Sequence, residues 1–282
     1  MSAPTLPLDS ATVIPSDPVA SPVVFEDVKL SFGSNEVLRG VSFRLARGET
    51  KALFGVAGSG KSLILKLAMG LICPDAGRIS VLGQDVTQMR EKELFALRRK
   101  IGMVFQESAL FDSLTVGENV AYRLMEEHGI YDSEIDQKVR EALRFVELEH
   151  TVDLYPSELS GGMRRRVAIA RAIITHPELL LYDSPTGGLD PVTSNTIIEL
   201  IVKQRDVNKT SALLVTHRLQ DAFTMATHQF DPKTNHLVAL PPDQHCDAPL
   251  SFLFLRDGKV IFDGDLQALA HNQDEYIKEY IS

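Results

Sequence analysis

The stretch GVAGSGKS, residues 55–62, decides the fold of this chain. It matches the pattern G-x-x-x-x-G-K-[ST], and it lies between TKALFGV, which predicts a short buried strand, and SLILKLAMGL, which predicts a buried helix. In that context the glycines let backbone N–H groups curl around a phosphate at the positive end of a helix. Lys61 reaches the β- and γ-phosphates, and Ser62 offers a hydroxyl to Mg²⁺. The stretch therefore predicts a nucleotide-binding P-loop.

The segments after the P-loop alternate between predicted strands and predicted helices. The strands are IGMVFQ, ending at Gln106, then ELLLYD, SALLVTH and SFLFLRDGKVIFDG; the helices are EKELFALRRK, RRRVAIARAII and PVTSNTIIELIVKQRDV. Residues 115–150 have helical periodicity and predict a helical lobe. Before the P-loop, VVFEDVKLSF predicts a half-buried strand and SNEVLRGVSFRLARGE a strand pair with turns. Continuous apolar strands alternating with helices indicate a parallel sheet covered on both faces.

Composition excludes some classes of function. The chain has 282 residues, 44% of them hydrophobic, and a net charge of −9, so it has no excess of cations for a polyanion-binding surface and no nucleic-acid partner is expected. Cys73 and Cys246 lack a C-x-x-C spacing, which argues against a disulfide framework and favours a reducing compartment. Residues 228–250 are polar and broken by prolines, and they predict an inserted loop or hairpin. The histidines of this segment are spaced irregularly, which favours loop composition over a metal site.

The first residues predict a disordered tail over 1–21. The first twenty contain four prolines and no Lys or Arg, so they lack the charged region of a secretory signal. The chain also has no uninterrupted run of about 18 to 20 apolar residues, the length that a membrane span needs. We therefore expect a soluble or peripheral protein.

Three further positions follow the P-loop in an order that suggests nucleotide chemistry. Asp183 ends the strand ELLLYD, where a carboxylate at the carboxyl edge of a parallel sheet can join a Mg²⁺ shell. The sequence LSGGM, residues 159–163, opens directly onto a helix, so its amides and Ser160 stand at a helix N-terminus that can hold an anion. His217 is the last residue of the predicted strand SALLVTH.

This ordered set of motifs resembles the nucleotide-binding subunit of ABC transporters, over about Val23 to Gly264. The resemblance implies that Phe32 stacks on adenine, that Gln106 contacts Mg²⁺ and the membrane subunit, and that His217 contacts the γ-phosphate. It implies catalytic roles at position 184, at His217 and at Gln106, and Mg²⁺ ligands at Ser62, Gln106 and Asp183. The implied nucleotide-binding residues are Phe32, Gly55, Val56, Ala57, Gly58, Ser59, Gly60, Lys61, Ser62, Leu63, Ser160, Gly161, Gly162 and Asp190.

The fold implied is that of an α/β P-loop NTPase of the ABC ATPase type, with a parallel core sheet, an antiparallel β subdomain and a helical subdomain. The expected ATPase domain spans 22–270, with the helical subdomain at about 107–175 and the insertion at about 228–250, followed by a helical tail over 271–282. Two such subunits in that family enclose two ATP molecules head to tail. Each site then joins the P-loop of one copy to the LSGGM motif of the other.

A finer resemblance is to the ATPases of the Mla and Mce-associated phospholipid systems, through QESALFDSLTVGENVAY, PSELSGGMRRRVAIARAI and YDSPTGGLDP. It implies an integral membrane permease and an Mce-domain lipid-binding subunit as partners. It also implies a peripheral location at the cytoplasmic face of the inner membrane. The expected function is to energise phospholipid transport through ATP-driven dimerisation.

Ser184 departs from the family, which has a glutamate at this position. The expected consequence is weak or lost ATP hydrolysis, because a serine hydroxyl is not a useful base at neutral pH. Two alternatives remain open. One is a degenerate ATP-binding regulatory module, and the other is the ATPase of an importer for polar solutes such as amino acids.

Overall fold

Buried apolar strands form a mainly parallel sheet behind the P-loop. The computed structural model describes residues 21–129, 131–241 and 248–281. The strands of this sheet are β3 (Thr50–Phe54), β6 (Ile101–Val104), β7 (Leu179–Asp183), β8 (Ser211–Val215), β11 (Leu250–Arg256) and β12 (Lys259–Gly264). Their order is β12-β11-β3-β8-β7-β6, and all neighbours pair in parallel except β12, which is antiparallel to β11 at the edge. The expected parallel core sheet is therefore present, with an antiparallel edge strand.

An antiparallel sheet packs beside it. Its strands are β1 (Val23–Phe32), β2 (Asn35–Leu45), β4 (Ala76–Val81) and β5 (Gln84–Asp85), in the order β2-β1-β4-β5. Two expectations were wrong in detail. The segment after β1 was expected to form a strand pair, and it is the single long strand β2. The segment SFLFLRDGKVIFDG was expected to be one strand, and it is the hairpin β11–β12, which turns at Asp257 and Gly258, both with positive φ.

Helices cover both faces of the core sheet because its strands are apolar on both sides. In β7, Leu180 and Tyr182 join one buried cluster, while Leu179 and Leu181 join the other. The helices outside the lobe are α1 (Lys61–Ala68), α2 (Glu91–Arg98), α6 (Pro191–Asn208), α7 (Leu219–Thr227), α8 (Leu266–Ala270) and α9 (Glu275–Ile281). Within the described ranges, no helix has the length and hydrophobicity needed to cross a bilayer.

The predicted helical lobe is formed by α3 (Val116–His128), α4 (Ser133–Phe145) and α5 (Gly161–Ile173). Each helix begins at a residue suited to its N-terminus: the side chains of Thr115, Asp132 and Ser160 accept hydrogen bonds from backbone N–H groups of the first turn. Apolar side chains of all three helices pack with Leu180 and Tyr182 of the core sheet. The lobe is thus joined to the sheet through a shared core.

The inserted segment begins as a hairpin of β9 (His228–Asp231) and β10 (His236–Ala239). It packs on α6, where Glu199 accepts a hydrogen bond from the backbone N–H of Leu237 at 3.2 Å. Residues 242–247 of the insertion and residues 1–20 of the tail predicted over 1–21 lie outside the described residues. Among the described residues, no group of three or more His, Cys, Asp or Glu side chains is placed to hold a metal ion.

Candidate nucleotide site

The predicted site residues lie at one edge of the core sheet, because its parallel strands end there together. Val215 of β8 pairs with Leu53 of β3 on one side and with Asp183 of β7 on the other. The loops that follow these neighbouring strands contain the P-loop, His217 and Ser184. Strand β6 pairs with β7 and ends at Val104, two residues before Gln106 rather than at Gln106 as expected. Four segments far apart in sequence therefore meet at this edge.

The P-loop is held by its glycines and by Lys61. Gly60 precedes α1 with φ of 95°, a left-handed conformation that favours glycine. The Lys61 ammonium folds back over the loop and donates to the backbone oxygens of Gly55 at 2.7 Å and Val56 at 2.8 Å. Burial lowers the pKa of Lys61, and the nearby Asp183 carboxylate partly offsets this effect. The cation is thus already positioned against the loop.

A hydroxyl and a carboxylate meet directly beside the loop. Ser62 donates a hydrogen bond from its Oγ to Oδ1 of Asp183 at 3.0 Å. Both oxygens are ligands of the kind that Mg²⁺ prefers, so the donor set fits this ion. Gln106 is exposed, and its Cγ lies 3.7 Å from the position that a Cβ on Gly187 would take. Gln106 therefore approaches the turn after Asp183.

Ser184 occupies a constrained turn immediately after Asp183. Its φ of 46° lies in the left-handed region, which is uncommon for residues other than glycine. Its N–H donates to the Val215 oxygen at 2.9 Å, and its own oxygen accepts from the N–H of Gly187 at 2.9 Å. The side chain is buried and ends in a short hydroxyl. The two backbone hydrogen bonds hold this residue in place.

Arg165, which the sequence analysis did not single out, reaches this turn from α5. It is buried, and its guanidinium donates to the oxygen of Ser184 at 3.1 Å and to that of Gly187 at 3.4 Å. The Nη1 that donates to Ser184 also donates to the oxygen of Phe105 at 3.4 Å, just before Gln106. Burial lowers its pKa. One side chain of the helical lobe thus links the loops after β6 and β7, and its only sequence signal is the RRR run after LSGGM.

Asp221 is a second buried group that the sequence analysis missed. The Thr186 hydroxyl donates to its carboxylate, and the Arg218 guanidinium lies 3.5 Å from it. Burial raises the pKa of Asp221, an effect that these two contacts and the nearby His217 oppose. Asp221 ties the YDSPTGG turn to the segment that begins at His217.

The LSGGM motif lies at the start of α5, as expected. The Ser160 Oγ accepts from the N–H of Met163 at 3.2 Å, and both Ser160 and Gly161 are exposed. A Cβ on Gly162 would lie 2.3 Å from Cγ2 of Thr193, so this glycine permits close packing against α6. No hydrogen bond between described residues joins Ser160 to the P-loop of the same chain. Ser160 and Gly161 therefore lie at the surface, while Leu159 of the same motif is buried.

The remaining predicted residues lie in and around the loop, and most of them are exposed. Asp190 caps α6 by accepting from the N–H groups of Val192 and Thr193, both at 3.0 Å. Hydrogen bonds from Thr193 lower its pKa. Phe32 ends β1 with 53% of its surface exposed, and Val56 is 52% exposed at the top of the P-loop. Ala57 and Gly58, which follow Val56 in the P-loop, are also exposed, and so is His217. Ser59 is buried, and Leu63 is partly buried.

Comparisons with known proteins agree with this geometry. The family model for ABC transporters matches residues 38–187, more than half of the chain. The protein TRIGALACTOSYLDIACYLGLYCEROL 3, chloroplastic, of Arabidopsis thaliana is 35% identical over 90% of this chain and 71% of its own length. The intermembrane phospholipid transport system ATP-binding protein MlaF of Escherichia coli K12 is 31% identical over 93% and 89%. The methionine import ATP-binding protein MetN of Bifidobacterium longum is 38% identical over 72% and 52%.

Solved structures show the same fold. The dimeric structure of MJ0796, a bacterial ABC transporter cassette, has a TM-score of 0.72 at 28% identity, covering 86% of this chain and 98% of that one. The structure of cbiO1 from Clostridium perfringens has a TM-score of 0.74 at 26% identity, covering 89% and 92%. These matches confirm the predicted fold class and the resemblance, including that to Mla-type ATPases. The chain belongs to the ABC transporter family.

Proposed function

We propose that this chain is the ATP-binding subunit of an ABC transporter, with MgATP held by residues 55–63. The observation that carries the proposal is the cluster of a cation, a hydroxyl and a carboxylate at one edge of the sheet. Ser62 donates to Asp183 at 3.0 Å, and Lys61 is folded onto the loop beside them. The family match and the names of the relatives support the same conclusion.

Each part of the site has a task in this proposal. Ser62 and Asp183 would hold Mg²⁺, with Gln106 as a further ligand, and the bound ion would neutralise phosphate charge. Lys61 pairs with the β- and γ-phosphates, and the P-loop amides donate hydrogen bonds to them. The exposed ring of Phe32 stacks on adenine, since a base needs a flat apolar surface there.

A second copy of the chain completes each site. Ser160 and Gly161 are exposed at the N-terminus of α5, so they are available to the γ-phosphate of ATP bound by a partner copy. Asp190 lies at the start of α6, against which Gly162 packs through Thr193. The similar cassette MJ0796 has also been solved as a dimer in a post-hydrolysis state bound to ADP and Pi, which supports a dimer as the working unit of this chain.

An apolar groove supports a membrane permease as the other partner. It has a volume of about 640 Å³ and lies between the core and the helical lobe. Exposed aromatic rings line it, with Phe95 53%, Phe111 43% and Phe105 and Tyr122 each 38% exposed. Contiguous apolar surface of this kind marks protein interaction sites. In this proposal the chain is peripheral at the cytoplasmic face of the inner membrane.

Lipid is the proposed cargo, since MlaF is named for intermembrane phospholipid transport and aligns over nearly its full length. The proposed complex includes an Mce-domain subunit that binds the lipid. The similarity to MetN supports import of a polar solute as the alternative. Phospholipid bound to the complex after copurification with the permease would favour the first, and a bound amino acid the second.

Hydrolysis is proposed to be slow because of Ser184. The glutamate of related enzymes orients or deprotonates the attacking water, a contribution of about 10²- to 10⁴-fold. Ser184 is short, buried and not basic at neutral pH. Asp183 is committed to Ser62 and the Mg²⁺ shell. His217 is exposed at the same edge of the sheet and accounts for a residual rate by positioning the water.

The test compares Ser184→Glu with Ser184→Gln and the wild-type chain. Glutamine has the length of glutamate without its basicity, so it controls for the larger side chain in the left-handed turn. With the permease present, we expect phosphate release by Ser184→Glu to exceed that of both others by at least about tenfold. Calorimetry with MgATP should show similar affinity in all three proteins. Equal and rapid turnover in all three would refute the role given to position 184.

A further inference from the structure

A buried arginine of the helical lobe donates its hydrogen bonds to backbone oxygens of two loops. Arg165 of α5 is 5% exposed, and its guanidinium donates to the oxygens of Ser184 at 3.1 Å and Gly187 at 3.4 Å. It also donates to the oxygen of Phe105 at 3.4 Å. Among the described residues, every hydrogen-bond acceptor of this guanidinium is therefore a main-chain oxygen of the loop after β6 or the turn after β7.

A buried cation destabilises the folded chain unless its contacts compensate for the water that it loses. Burial lowers the pKa of Arg165, and the Glu107 carboxylate offsets this effect only in part. The Nε atom of Arg165 is buried and has no hydrogen-bond partner among the described residues. The contacts with the two loops, rather than ion pairing, therefore account for a guanidinium at this position.

The two loops that Arg165 joins both belong to the nucleotide site. Phe105 directly precedes Gln106, a proposed Mg²⁺ ligand, and Ser184 directly follows Asp183. A guanidinium is planar and its donors have fixed directions, so it sets the spacing of the backbones that it bonds. Arg165 therefore fixes the distance between the segment that contains Gln106 and the turn that begins at position 184.

The turn over 184–187 depends on contacts of this kind. Ser184 has φ of 46°, a conformation that residues other than glycine keep only where their surroundings hold it. Its oxygen accepts from the Gly187 N–H at 2.9 Å as well as from Arg165. Ser184 and Gly187 are both buried, and a buried backbone oxygen that loses its donor is destabilising. The guanidinium thus holds residue 184 in a conformation that the residue alone does not favour.

We propose that Arg165 is a positioning residue for ATP hydrolysis, acting through the backbone of residue 184. This inference rests on the proposed function, because it assumes that position 184 faces the attacking water. Arg165 holds the turn so that the side chain at position 184 meets the water in the geometry that the reaction requires. None of its hydrogen bonds among the described residues goes to the P-loop, so nucleotide binding does not depend on it.

The test uses Ser184→Glu, in which position 184 has a base, with and without Arg165→Lys. Lysine keeps the positive charge, but its single ammonium lacks the planar fork that reaches both loops. Arg166→Lys is the matched control. Arg166 is the next residue of α5, is partly buried, and donates to the oxygen of Val146 within the helical lobe at 3.1 Å.

Phosphate release separates positioning from binding and from general support of the fold. We expect the kcat of Ser184→Glu to fall about 10- to 100-fold when Arg165→Lys is added, with KM unchanged. Adding Arg166→Lys instead should change neither quantity. In the wild-type background Arg165→Lys should have a much smaller effect, because position 184 has no base there to be positioned. A purely structural role would lower kcat equally in both backgrounds.

Amide exchange without nucleotide tests the contact independently of hydrolysis. The Gly187 N–H should be protected in the wild type and should exchange faster in Arg165→Lys, but not in Arg166→Lys. Urea unfolding shows whether each variant is folded. Arg165→Gln, which buries no charge, takes the place of Arg165→Lys if the lysine variant is unfolded.

Two results would overturn this inference alone. One is a full kcat in the double variant of Ser184→Glu and Arg165→Lys. The other is a Gly187 amide that exchanges in the wild type as fast as that of the exposed Gly188. Ser184→Glu that is no faster than the wild type would overturn the role proposed for position 184, and this inference with it.

Discussion

Replacing Lys61 with alanine removes the side-chain cation that the structure places on the P-loop. Its ammonium donates to the oxygens of Gly55 at 2.7 Å and Val56 at 2.8 Å, so the cation lies against the loop that would receive the phosphates. A charge-assisted hydrogen bond contributes about 1.5 to 3 kcal/mol. Its loss should therefore weaken MgATP binding about 10- to 150-fold.

The same substitution should leave the fold nearly as stable as before. Burial lowers the pKa of Lys61, so the unfolded chain holds the proton more tightly than the folded one, and protonated Lys61 disfavours folding at neutral pH. The loop oxygens that lose the ammonium can bond water instead. We expect the free energy of unfolding to change by less than about 1 kcal/mol. Lys61→Ala should therefore lose MgATP affinity while keeping nearly all of its stability.

Titration calorimetry with MgATP and urea unfolding measure the two quantities. Lys66→Ala is the control, because Lys66 is exposed on the same helix and its loss changes the net charge equally. Lys66→Ala should bind MgATP as the wild type does. The reasoning is refuted if Lys61→Ala and Lys66→Ala bind MgATP equally well, or if Lys61→Ala weakens binding only through a large loss of stability.

Three other variants test the fold around the site. Gly162→Ala places a Cβ 2.3 Å from Thr193 and should lower the free energy of unfolding by about 1 to 3 kcal/mol in urea, whereas Gly161→Ala, whose nearest neighbour is at 3.8 Å, should not. Equal effects of the two glycines would contradict this packing. Replacing residues 228–250 by a short glycine linker should lower the free energy of unfolding, because the hairpin packs on α6. Calorimetry should show unchanged MgATP affinity. A folded variant that no longer binds MgATP would show that the insertion is part of the site. Burial raises the pKa of Asp221 above its ordinary value of 3.8, so the folded protein holds this proton more tightly than the unfolded chain does. The free energy of unfolding should therefore fall as the pH rises from 3.8 through the pKa of the folded state. The difference in unfolding free energy between wild type and Asp221→Asn should therefore decrease over that window, and a difference independent of pH would argue against the buried carboxyl.

Local patterns in the sequence were enough to determine the nucleotide chemistry and the fold class. A glycine-rich loop between a buried strand and a helix has few other structural uses, and strands that are apolar at every position require cover on both faces. The helix starts at Ser160 and Asp190 follow from residues suited to cap a first turn. The dipeptide Asp257-Gly258 between two apolar runs is also a local signal, for a hairpin, and the sequence analysis overlooked it.

The tertiary structure alone decided which side chains hold these motifs in place. Arg165 donates to the oxygens of Ser184 and Gly187, yet no motif in the sequence predicts these contacts. Every residue has a backbone oxygen, and nearly every residue has a backbone N–H, so a side chain that bonds one of them leaves no pattern in the sequence. Which backbone group it meets depends on the strand order and on where α5 packs. Those positions are set by burial of apolar surface across the whole chain, which no short segment specifies.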